Sequence, residues 1–404
     1  MILALLPAHN EQYTIAAAID SLQEQTAPPE RIVVVADNCT DSTADIARSC
    51  GAEVFTPTAN TAKKAGALNQ SLDRLLPDLL DTDLVFVQDA DSRVDPKFLA
   101  AAMGAFADPA VGAVGGVFYG DQGGGLVGQL QRNEYQRYAR DIRRKGGLRV
   151  MVLTGTASLF RVATLRQVAA ARAGVLPGTR GQVYDTLALT EDNEITIAIK
   201  ALGWRCNSPA ECRVYTEVMP TWGDLWRQRR RWQRGALDNI RHYRLAPVTW
   251  RYAGQQLGMA AGVIALWAFV AFTLWSLQYP WHWRPLWLAV SGAFVAERVV
   301  TVWPAGVRAR ALAATMIVEL PYDAFIQMVF VFSLIDMALG RAGTWHHAER
   351  KAPHVRKGHP VRRRARPHHS AAHGLRGPGH VRCRDHARVR RRGPTQAVSG
   401  RGAS

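Results

Sequence analysis

The sequence contains little cysteine: five residues in 404, with no Cys-x-x-Cys pair. An odd number of cysteines without paired spacing does not support a structural zinc site or a disulfide framework, so reduced thiols are expected, as in the cytoplasm. A signal peptide is not indicated either. Met1 leads, without a basic start, into the short apolar run 2–6, which we interpret as a first strand. We find no internal repeat.

The positive charge is concentrated at one end of the chain. The sequence has 50 Lys and Arg against 33 Asp and Glu, a formal net charge of +17. Residues 341–404 hold 17 of the basic and 2 of the acidic residues, and therefore +15 of that charge, together with nine of the 12 histidines. The rest of the chain is close to neutral, so the high isoelectric point carries no information about its ligand.

Composition divides the chain into three predicted regions. Residues 1–250 are predicted to form a soluble α/β domain, residues 253–340 apolar helices, and residues 341–404 a basic tail. From about residue 351 the tail is rich in Arg, His, Gly and Pro, which predicts disorder. Three interpretations of the tail stay open: a segment that binds anionic lipid, a nucleic-acid-binding arm, or a non-native reading frame.

Apolar runs alternate with helical patterns in the first region. We predict strands at 2–6, 31–36, 53–56 and 84–88, and helices at about 40–50 and 62–76. This alternation predicts an α/β fold with a largely parallel sheet covered by helices on both faces. Ligands of such sheets bind beyond the carboxyl ends of the strands. The first strand-to-helix turn lacks Gly-x-Gly-x-x-Gly, and this argues against a dinucleotide-binding enzyme.

One predicted strand ends in two carboxylates, Asp89 and Asp91. In extended chain this i, i+2 spacing places both side chains on one face. Two oxygen ligands at the carboxyl end of a strand suit Mg²⁺ or Mn²⁺ carrying a substrate diphosphate. The tripeptide Asp-x-Asp is also common in solvated turns, so the metal interpretation depends on its context.

Seven short motifs supply that context over about residues 1–250. They are Pro7-Ala8-His9-Asn10-Glu11, Val35-Ala36-Asp37-Asn38, Lys64-Ala65-Gly66-Ala67-Leu68-Asn69, Asp89-Ala90-Asp91, Thr154-Gly155-Thr156, Thr190-Glu191-Asp192 and Gln228-Arg229-Arg230-Arg231-Trp232. Each is weak alone. In this order they resemble family 2 glycosyltransferases, in particular the membrane-embedded branch of cellulose, chitin, hyaluronan and poly-N-acetylglucosamine synthases. The last motif, Gln-x-x-Arg-Trp, is typical of the processive members.

The resemblance implies a GT-A fold and an inverting transfer of a sugar from a nucleotide, expected to be uridine diphosphate. It implies a donor site formed by His9, Glu11, Asp37, Lys64 and Asp89. Asp89 and Asp91 would hold a divalent cation, Mg or Mn, that neutralises the leaving diphosphate. Alternatives remain for single residues: Asp37 could cap a helix, and Lys64 could lie on a solvated helix face.

Inversion needs a base that deprotonates the acceptor hydroxyl, and Asp192 is the candidate, with a pKa that burial near other carboxylates would raise. The alternative is an acid at a helix N-terminus, where the helix dipole favours it. The resemblance also implies acceptor contacts from Thr154, Gly155, Thr156, Glu191, Gln228, Arg231 and Trp232. The threonine-glycine segment is expected to follow a strand at 149–153, or to be simply a turn. The last motif could also belong to a basic helix on a membrane surface.

The second region predicts membrane helices. Residues 257–277 contain no charge over 21 positions, enough to span about 30 Å of hydrocarbon. A second span is predicted at 286–303, and Tyr279, Trp281, Trp283 and Trp287 suggest an interfacial belt. The run 311–339 predicts an interfacial or broken helix. The two predicted spans would form a hairpin, and arginines flank both of its ends. By the positive-inside rule this predicts a multi-pass protein of the cytoplasmic membrane, with the catalytic domain in the cytoplasm.

These observations predict a metal-dependent hexosyl- or N-acetylhexosaminyltransferase that extends a polysaccharide, with N-acetylglucosamine as the first donor sugar to test. Its expected partners are a nucleotide-sugar donor, a glycan or lipid acceptor and the membrane; nucleic acid is not expected. One alternative is a transferase that acts once on a lipid or small acceptor. Another is a non-catalytic protein whose basic tail binds membrane or nucleic acid. The branch carries membrane helices before the catalytic domain, so a truncated start, a reduced variant or a partner subunit that supplies them is expected.

Overall fold

The computed structural model describes residues 1–147, 150–244, 246–279 and 285–341, without the side chains of residues 286 and 287. Ten strands occur in this part of the chain. They are β1 (Ile2–Ala8), β2 (Arg31–Ala36), β3 (Glu53–Phe55), β4 (Leu84–Gln88), β5 (Arg93–Val94), β6 (Val111–Gly115), β7 (Val117–Gly120), β8 (Ala157–Arg161), β9 (Arg205–Asn207) and β10 (Arg213–Thr216). The four strands predicted before residue 90 are confirmed.

Seven strands form the main sheet, in the spatial order β3-β2-β1-β4-β8-β6-β9. The pairs β3-β2, β2-β1, β1-β4 and β6-β9 are parallel, whereas β8 runs antiparallel to both β4 and β6. The prediction of a largely parallel sheet is therefore corrected to a mixed sheet. The chain reaches β8 at the edge where β4 ends, since the Asp89 amide donates to the carbonyl of Thr156 (3.0 Å), and β8 must then run in the opposite direction.

The main sheet buries both of its faces. Along β1, Leu3 and Leu5 pack into one apolar core, and Ile2, Ala4 and Leu6 pack into the other. This alternation follows from the two-residue period of a strand. Each buried leucine stabilises the fold by roughly 1.5–3 kcal/mol. A second sheet, in the order β5-β10-β7, was not predicted.

Eight helices belong to the region that the sequence assigned to the α/β domain. They are α1 (Ile15–Gln23), α2 (Thr43–Ser49), α3 (Lys63–Leu75), α4 (Phe98–Ala105), α5 (Gly125–Arg144), α6 (Val162–Ala171), α7 (Glu191–Ala201) and α8 (Trp222–His242). The helices α2, α3 and α7 were predicted within a few residues of these bounds. The domain boundary at residue 250 stays a prediction.

The predicted strand at 149–153 is wrong for its described residues, 150–153. Side chains, not a neighbouring strand, satisfy the backbone here. The amide of Leu153 donates to the hydroxyl of Thr196 (2.9 Å), and the hydroxyl of Tyr252 donates to the carbonyl of Met151 (2.5 Å). The segment is extended and apolar because it packs against α7, not because it joins a sheet.

Four helices follow: α9 (Trp250–Ser276), α10 (Pro285–Thr301), α11 (Val307–Thr315) and α12 (Glu319–Ala338). Two stretches among the described residues are long and apolar enough to cross a membrane, Pro247–Ser276 with a mean hydropathy of 2.1 and Glu319–Ala338 with 1.4. The break predicted within 311–339 is observed between α11 and α12. Trp281, Trp283 and the tail from residue 342 lie outside the described residues.

Charged side chains attach α12 to the rest of the chain. Glu319 is 3 % exposed and accepts two hydrogen bonds of 2.6 Å from Arg137 of α5. Asp323 pairs with Arg298 of α10 at 2.5 Å, and Asp336 pairs with Arg230 of α8. The acidic residues that interrupt the apolar run of α12 are therefore neutralised, and they hold α12 against α5, α10 and α8.

Cys39, Cys206 and Cys212 are free thiols.

Candidate active site

The candidate site lies at the carboxyl ends of β2, β1 and β4. In the parallel register, Ala8 of β1 lies beside Ala36 of β2, and Leu5 of β1 lies beside Val87 of β4. The residues that follow these strands therefore meet at one edge of the sheet. His9 is close to Asp37, with 2.7 Å between its Nδ1 and the Asp37 carbonyl oxygen. The structure thus brings together three of the seven motifs.

Lys64 occupies the centre of the site. It stands at the start of α3, and its Nζ lies 2.6 Å from Asp89, 3.0 Å from Glu191 and 3.1 Å from the carbonyl oxygen of Gly155. Burial lowers the pKa of Lys64, but the charges of Asp89 and Glu191 outweigh it and raise that pKa above its ordinary value. Lys64 is therefore a permanent cation that holds β4, α7 and the glycine segment together.

Asp91 lies beside a second carboxylate, Asp89, and the positive charge of Lys64 acts on it as well. Burial and the negative charge of Asp89 raise the pKa of Asp91 to about 7, although Ser92 donates a hydrogen bond of 3.0 Å to it. Two crowded carboxylates with oxygen donors fit a hard divalent cation. Within the described residues no group of three or more His, Cys, Asp and Glu side chains is placed to hold a metal, so a cation bound by Asp89 and Asp91 would need further ligands from substrate or water.

Asp192 lies in the first turn of α7, beside a small cavity of about 20 Å³. Its Oδ2 accepts a hydrogen bond from the amide of Gly155 (3.0 Å), and its Oδ1 accepts one from the amide of Asn193 (2.8 Å). Burial and the neighbouring charge of Glu191 raise the pKa of Asp192 to about 6. A carboxylate with this pKa is ionised at neutral pH and is basic enough to accept a proton.

The segment Thr154-Gly155-Thr156 connects these groups through its backbone. Gly155 donates to Asp192 and accepts from Lys64, and Thr156 accepts from the amide of Asp89. An ideal Cβ on Gly155 would stand 3.1 Å from Oδ2 of Asp192, so a larger residue would press on that carboxylate. Thr154 is buried, whereas the buried hydroxyl of Thr156 has no hydrogen-bond partner among the described residues.

The motif on α8 lies against the acidic pair of α7. Burial raises the pKa of Glu191, but the positive charges of Lys64 and Arg231 outweigh it and lower that pKa. Gln228 lies one helical turn before Arg231 on α8, and its buried Oε1 accepts no hydrogen bond within the described residues. The ring of Trp232 is covered on one face by Arg229, whose Cζ lies 4.3 Å from the ring centroid.

Close packing fixes α8 relative to α7. An ideal Cβ on Gly235 would stand 2.3 Å from the hydroxyl oxygen of Thr190, the residue immediately before Glu191. Asn239, one turn later, donates a hydrogen bond of 3.0 Å to Oδ1 of Asn193. The two motifs are therefore held at a fixed distance from each other.

Three of the predicted nucleotide residues, His9, Glu11 and Asp37, lie in the turns that follow β1 and β2. Burial raises the pKa of Asp37, and Asn38 donates a hydrogen bond of 3.0 Å to its carboxylate. Glu11 is 8 % exposed and accepts a hydrogen bond of 2.8 Å from the hydroxyl of Thr14 at the start of α1. Asn10 and Asn38 adopt positive φ angles of 58° and 48°, which shape the two turns around Asp37.

Sequence reasoning missed Tyr184, which lines the cavity beside Asp192. Asn69 of α3 holds it through two hydrogen bonds of 2.8 Å, one from its side-chain amide to the Tyr184 carbonyl and one from the Tyr184 amide to its side-chain oxygen. Asn69 belongs to a recognised motif and could have indicated a buried polar contact. Tyr184 lies in a loop without a motif, so nothing in the sequence marks it.

The chain is similar to known proteins in sequence and in structure. The chain is 29 % identical over 244 residues to a probable glycosyltransferase, YdaM, of Bacillus subtilis, covering 57 % of this chain and 54 % of that protein. It is 26 % identical over 239 residues to the poly-beta-1,6-N-acetyl-D-glucosamine synthase of Staphylococcus aureus, covering 57 % and 53 %. The chain thus spans about half the length of the curated relatives it matches.

A solved structure shares the fold. The mannosyltransferase PcManGT of Pyrobaculum calidifontis, in complex with GDP-Man and Mn²⁺, superimposes with a TM-score of 0.54 at 19 % identity, covering 84 % of this chain and 88 % of that one. The model of the family described as "Glycosyltransferase like family 2" matches residues 2–235, more than half of the chain. The chain belongs to glycosyltransferase family 2.

Proposed function

We propose that this protein is an inverting, metal-dependent glycosyltransferase that moves a sugar from a uridine diphosphate donor to a growing polysaccharide at the cytoplasmic face of a membrane. One observation carries the proposal. The carboxylates of Asp89, Asp91, Glu191 and Asp192 lie around the buried cation Lys64 at the carboxyl edge of the sheet, and Arg231 is a second positive charge near the acidic pair of α7. Four carboxylates beside two cations favour the binding of a divalent cation, and a nucleotide diphosphate binds together with one.

Asp89 and Asp91 would hold the cation, Mg²⁺ or Mn²⁺. When bound, it supplies positive charge that neutralises the leaving diphosphate. Lys64 keeps the Asp89 carboxylate in place, because the two groups are 2.6 Å apart. Asp37 accepts hydrogen bonds from the base or ribose, and His9 and Glu11 shape the turn beside it. Family membership and the position of these residues beyond β1 and β2 support this assignment.

Asp192 acts as the base. It takes the proton from the acceptor hydroxyl, whose oxygen then bonds to the anomeric carbon as the bond from that carbon to the diphosphate breaks on the opposite side. The sugar configuration is inverted, uridine diphosphate leaves, and Asp192 later releases its proton to water. The amide of Gly155 fixes one carboxylate oxygen and so orients the other.

The acceptor lies along α8 and the glycine segment. Gln228 offers a buried, unpartnered oxygen, Arg231 offers donors near the acidic pair, and the exposed face of Trp232 offers a stacking surface for a sugar ring. The backbone around Thr154, Gly155 and Thr156 borders the same space. The relative named as a poly-beta-1,6-N-acetyl-D-glucosamine synthase makes N-acetylglucosamine the donor sugar to test first.

The helices after the catalytic region support membrane attachment. Apolar side chains of α9 are strongly exposed, among them Ile264 at 70 % and Phe269 at 59 %. Soluble proteins rarely expose contiguous apolar surface of this extent, and lipid would cover it. The α9–α10 hairpin then anchors the catalytic region at the membrane, and a partner subunit could supply further helices.

The experiment measures nucleotide release by the protein in membranes from a panel of uridine diphosphate sugars, with Mn²⁺ or Mg²⁺ and then with chelator. We expect turnover of one donor that stops on chelation, and a ladder of products. A single product would replace the polysaccharide assignment by one addition to a lipid or small acceptor. Turnover that is unaffected by chelator would overturn the metal assignment, and no release from any donor would overturn the proposed reaction.

A further inference from the structure

A second cavity lies away from the catalytic cleft, between the end of α5 and the turn after α10. It is open to solvent and has a volume of about 380 Å³. One side is basic, with Arg140, Arg143 and Arg144 in the last turns of α5. The other side is apolar, with Val300, Trp303 and Pro304. None of the motifs described above contributes a side chain to it.

The arginines of this cavity are uncompensated. None of the three forms an ion pair with an acidic side chain in the described ranges, and Nη1 of Arg140 is buried without a hydrogen-bond partner there. A buried, unsatisfied guanidinium nitrogen costs free energy that a bound anion would recover. By contrast, Arg137 of the same helix pairs with Glu319, and Arg298 of α10 pairs with Asp323. The cavity therefore retains its positive charge for a ligand.

The apolar side of the cavity indicates that the bound anion belongs to a membrane lipid. Val300 ends the exposed apolar surface of α10 and is itself 50 % exposed, and Trp303 is 55 % exposed. Arg310 stacks on Trp303, with its Cζ 4.4 Å from the ring centroid, and adds a further positive charge at the rim. A tryptophan beside arginines at the end of an apolar helix is the arrangement found at the headgroup level of a membrane.

We propose that this cavity binds the headgroup of an anionic phospholipid, with the phosphate on the arginines of α5 and the acyl chains along α10. The proposal rests on the membrane attachment proposed above, but not on the sugar transfer. A phosphate on guanidinium groups forms strong, charge-assisted hydrogen bonds. The bound lipid would tie the catalytic region to the plane of the membrane through α5, the helix that also carries the Arg137 contact to α12.

The test titrates the full chain, purified in neutral detergent, with short-chain phosphatidylglycerol, short-chain phosphatidylcholine or inorganic phosphate, and follows the midpoint of thermal unfolding. A ligand that binds the folded state raises that midpoint. We expect phosphatidylglycerol to raise it at concentrations at least about tenfold lower than either of the other two ligands. Equal effects of both lipids would overturn the anionic selectivity. An equal effect of inorganic phosphate would make this a free-phosphate site and overturn the lipid assignment.

The matched variants locate the site. Arg140→Gln with Arg144→Gln should raise the half-saturating phosphatidylglycerol concentration about tenfold or more. The control, Arg74→Gln with Lys97→Gln, removes two exposed charges elsewhere and should leave it unchanged. The variant Arg140→Lys with Arg144→Lys keeps both positive charges, so it should retain most of the phosphatidylglycerol effect. It provides the test if the glutamine variant fails to fold. An undiminished response in the glutamine variant would overturn the proposal. None of these readouts uses sugar transfer, so failure of the proposed reaction would be seen separately.

Discussion

Two of the three carboxylates of α7, Asp192 and Glu194, have surroundings that are opposite in charge balance. Asp192 faces the cleft, where four acidic side chains surround Lys64. Glu194 faces the interior, where it accepts hydrogen bonds of 2.5 and 2.8 Å from Arg172 and one of 2.5 Å from the hydroxyl of Tyr243. Residues at i and i+2 of a helix point in different directions, so one helix serves both clusters.

The balanced cluster holds the fold. Arg172 and Glu194 are each 1 % exposed, and Arg172 also donates to the carbonyl oxygens of Pro177 and Val183. The pair therefore anchors the loop that carries Tyr184 to the same helix that carries Asp192. The cluster in the cleft is different: its four carboxylates outnumber the positive charges of Lys64 and Arg231, and a bound cation would restore the balance. Charge balance thus distinguishes the structural carboxylate on this helix from the one that we propose as the catalytic base.

Removing the acidic excess should have the largest effect. Asp89→Asn or Asp91→Asn is expected to lower kcat/KM at least about 1000-fold, because each removes a charge that holds the cation and, through it, the diphosphate. Donor turnover at saturating Mn²⁺ is the measurement. Asp73→Asn, which removes an exposed carboxylate of α3, is the control and should be neutral. Near-normal turnover in both site variants would mean that the carboxylates serve only to pair with Lys64.

Breaking the balanced cluster should affect stability. Arg172→Met leaves Glu194 buried without its cation, which costs about 3–5 kcal/mol and lowers the midpoint of thermal unfolding by about 10 °C. The double variant Arg172→Met with Glu194→Met removes both charges and should recover at least half of the loss. If the single variant were as stable as the wild type, the pair would not be structural and the contrast with the cleft would fail.

Changing the spacing between α8 and α7 should have a smaller effect on both properties. Gly235→Ala places a methyl group against Thr190, so we expect a loss of about 1–3 kcal/mol in stability and, through displacement of Asp192, roughly a tenfold fall in kcat. Gly104→Ala in α4 is the control, because its Cβ would meet nothing within 4 Å. Equal effects of the two changes would show that α8 does not position the acidic pair.

The pH dependence of kcat should show the effect of the neighbouring negative charges on Asp192. Burial and the charge of Glu191 raise the pKa of Asp192 to about 6, and the base must be unprotonated, so kcat should be constant above that pH and fall about tenfold per unit below it. Glu191→Gln removes a neighbouring negative charge and should move the midpoint to lower pH by about one unit. If the midpoint did not move, the fall in kcat at low pH could not be attributed to protonation of Asp192. The measurement is kcat against pH at saturating donor.

The fold and the site were predictable from sequence to different extents. The strands β1, β2 and β4 were predictable because local apolar runs and the polar residues that follow them define both the element and its end. The antiparallel β8 and the sheet β5-β10-β7 were not, because their pairing joins residues distant in sequence. The segment 150–153 was mistaken for a strand because side chains of Thr196 and Tyr252 replace a strand partner.

Motif residues also differed in how much of their environment could be predicted. The spacing of Asp89 and Asp91 predicts a cation site. The sequence gives no sign that Gly155 bridges Lys64 and Asp192, that Arg229 covers Trp232, or that Tyr184 lines the cavity. These contacts depend on how α3, α7 and α8 pack together, which local pattern does not encode.

The most direct test of the central assignment is the kcat of Asp192→Asn, measured beside the wild type with saturating donor and cation. Asparagine keeps the shape of the side chain but cannot accept the proton of an acceptor hydroxyl. We expect kcat to fall by about 10²–10⁴-fold while nucleotide affinity changes less than about twofold. Undiminished transfer by Asp192→Asn would contradict the proposal that the cluster in the cleft supplies the catalytic base.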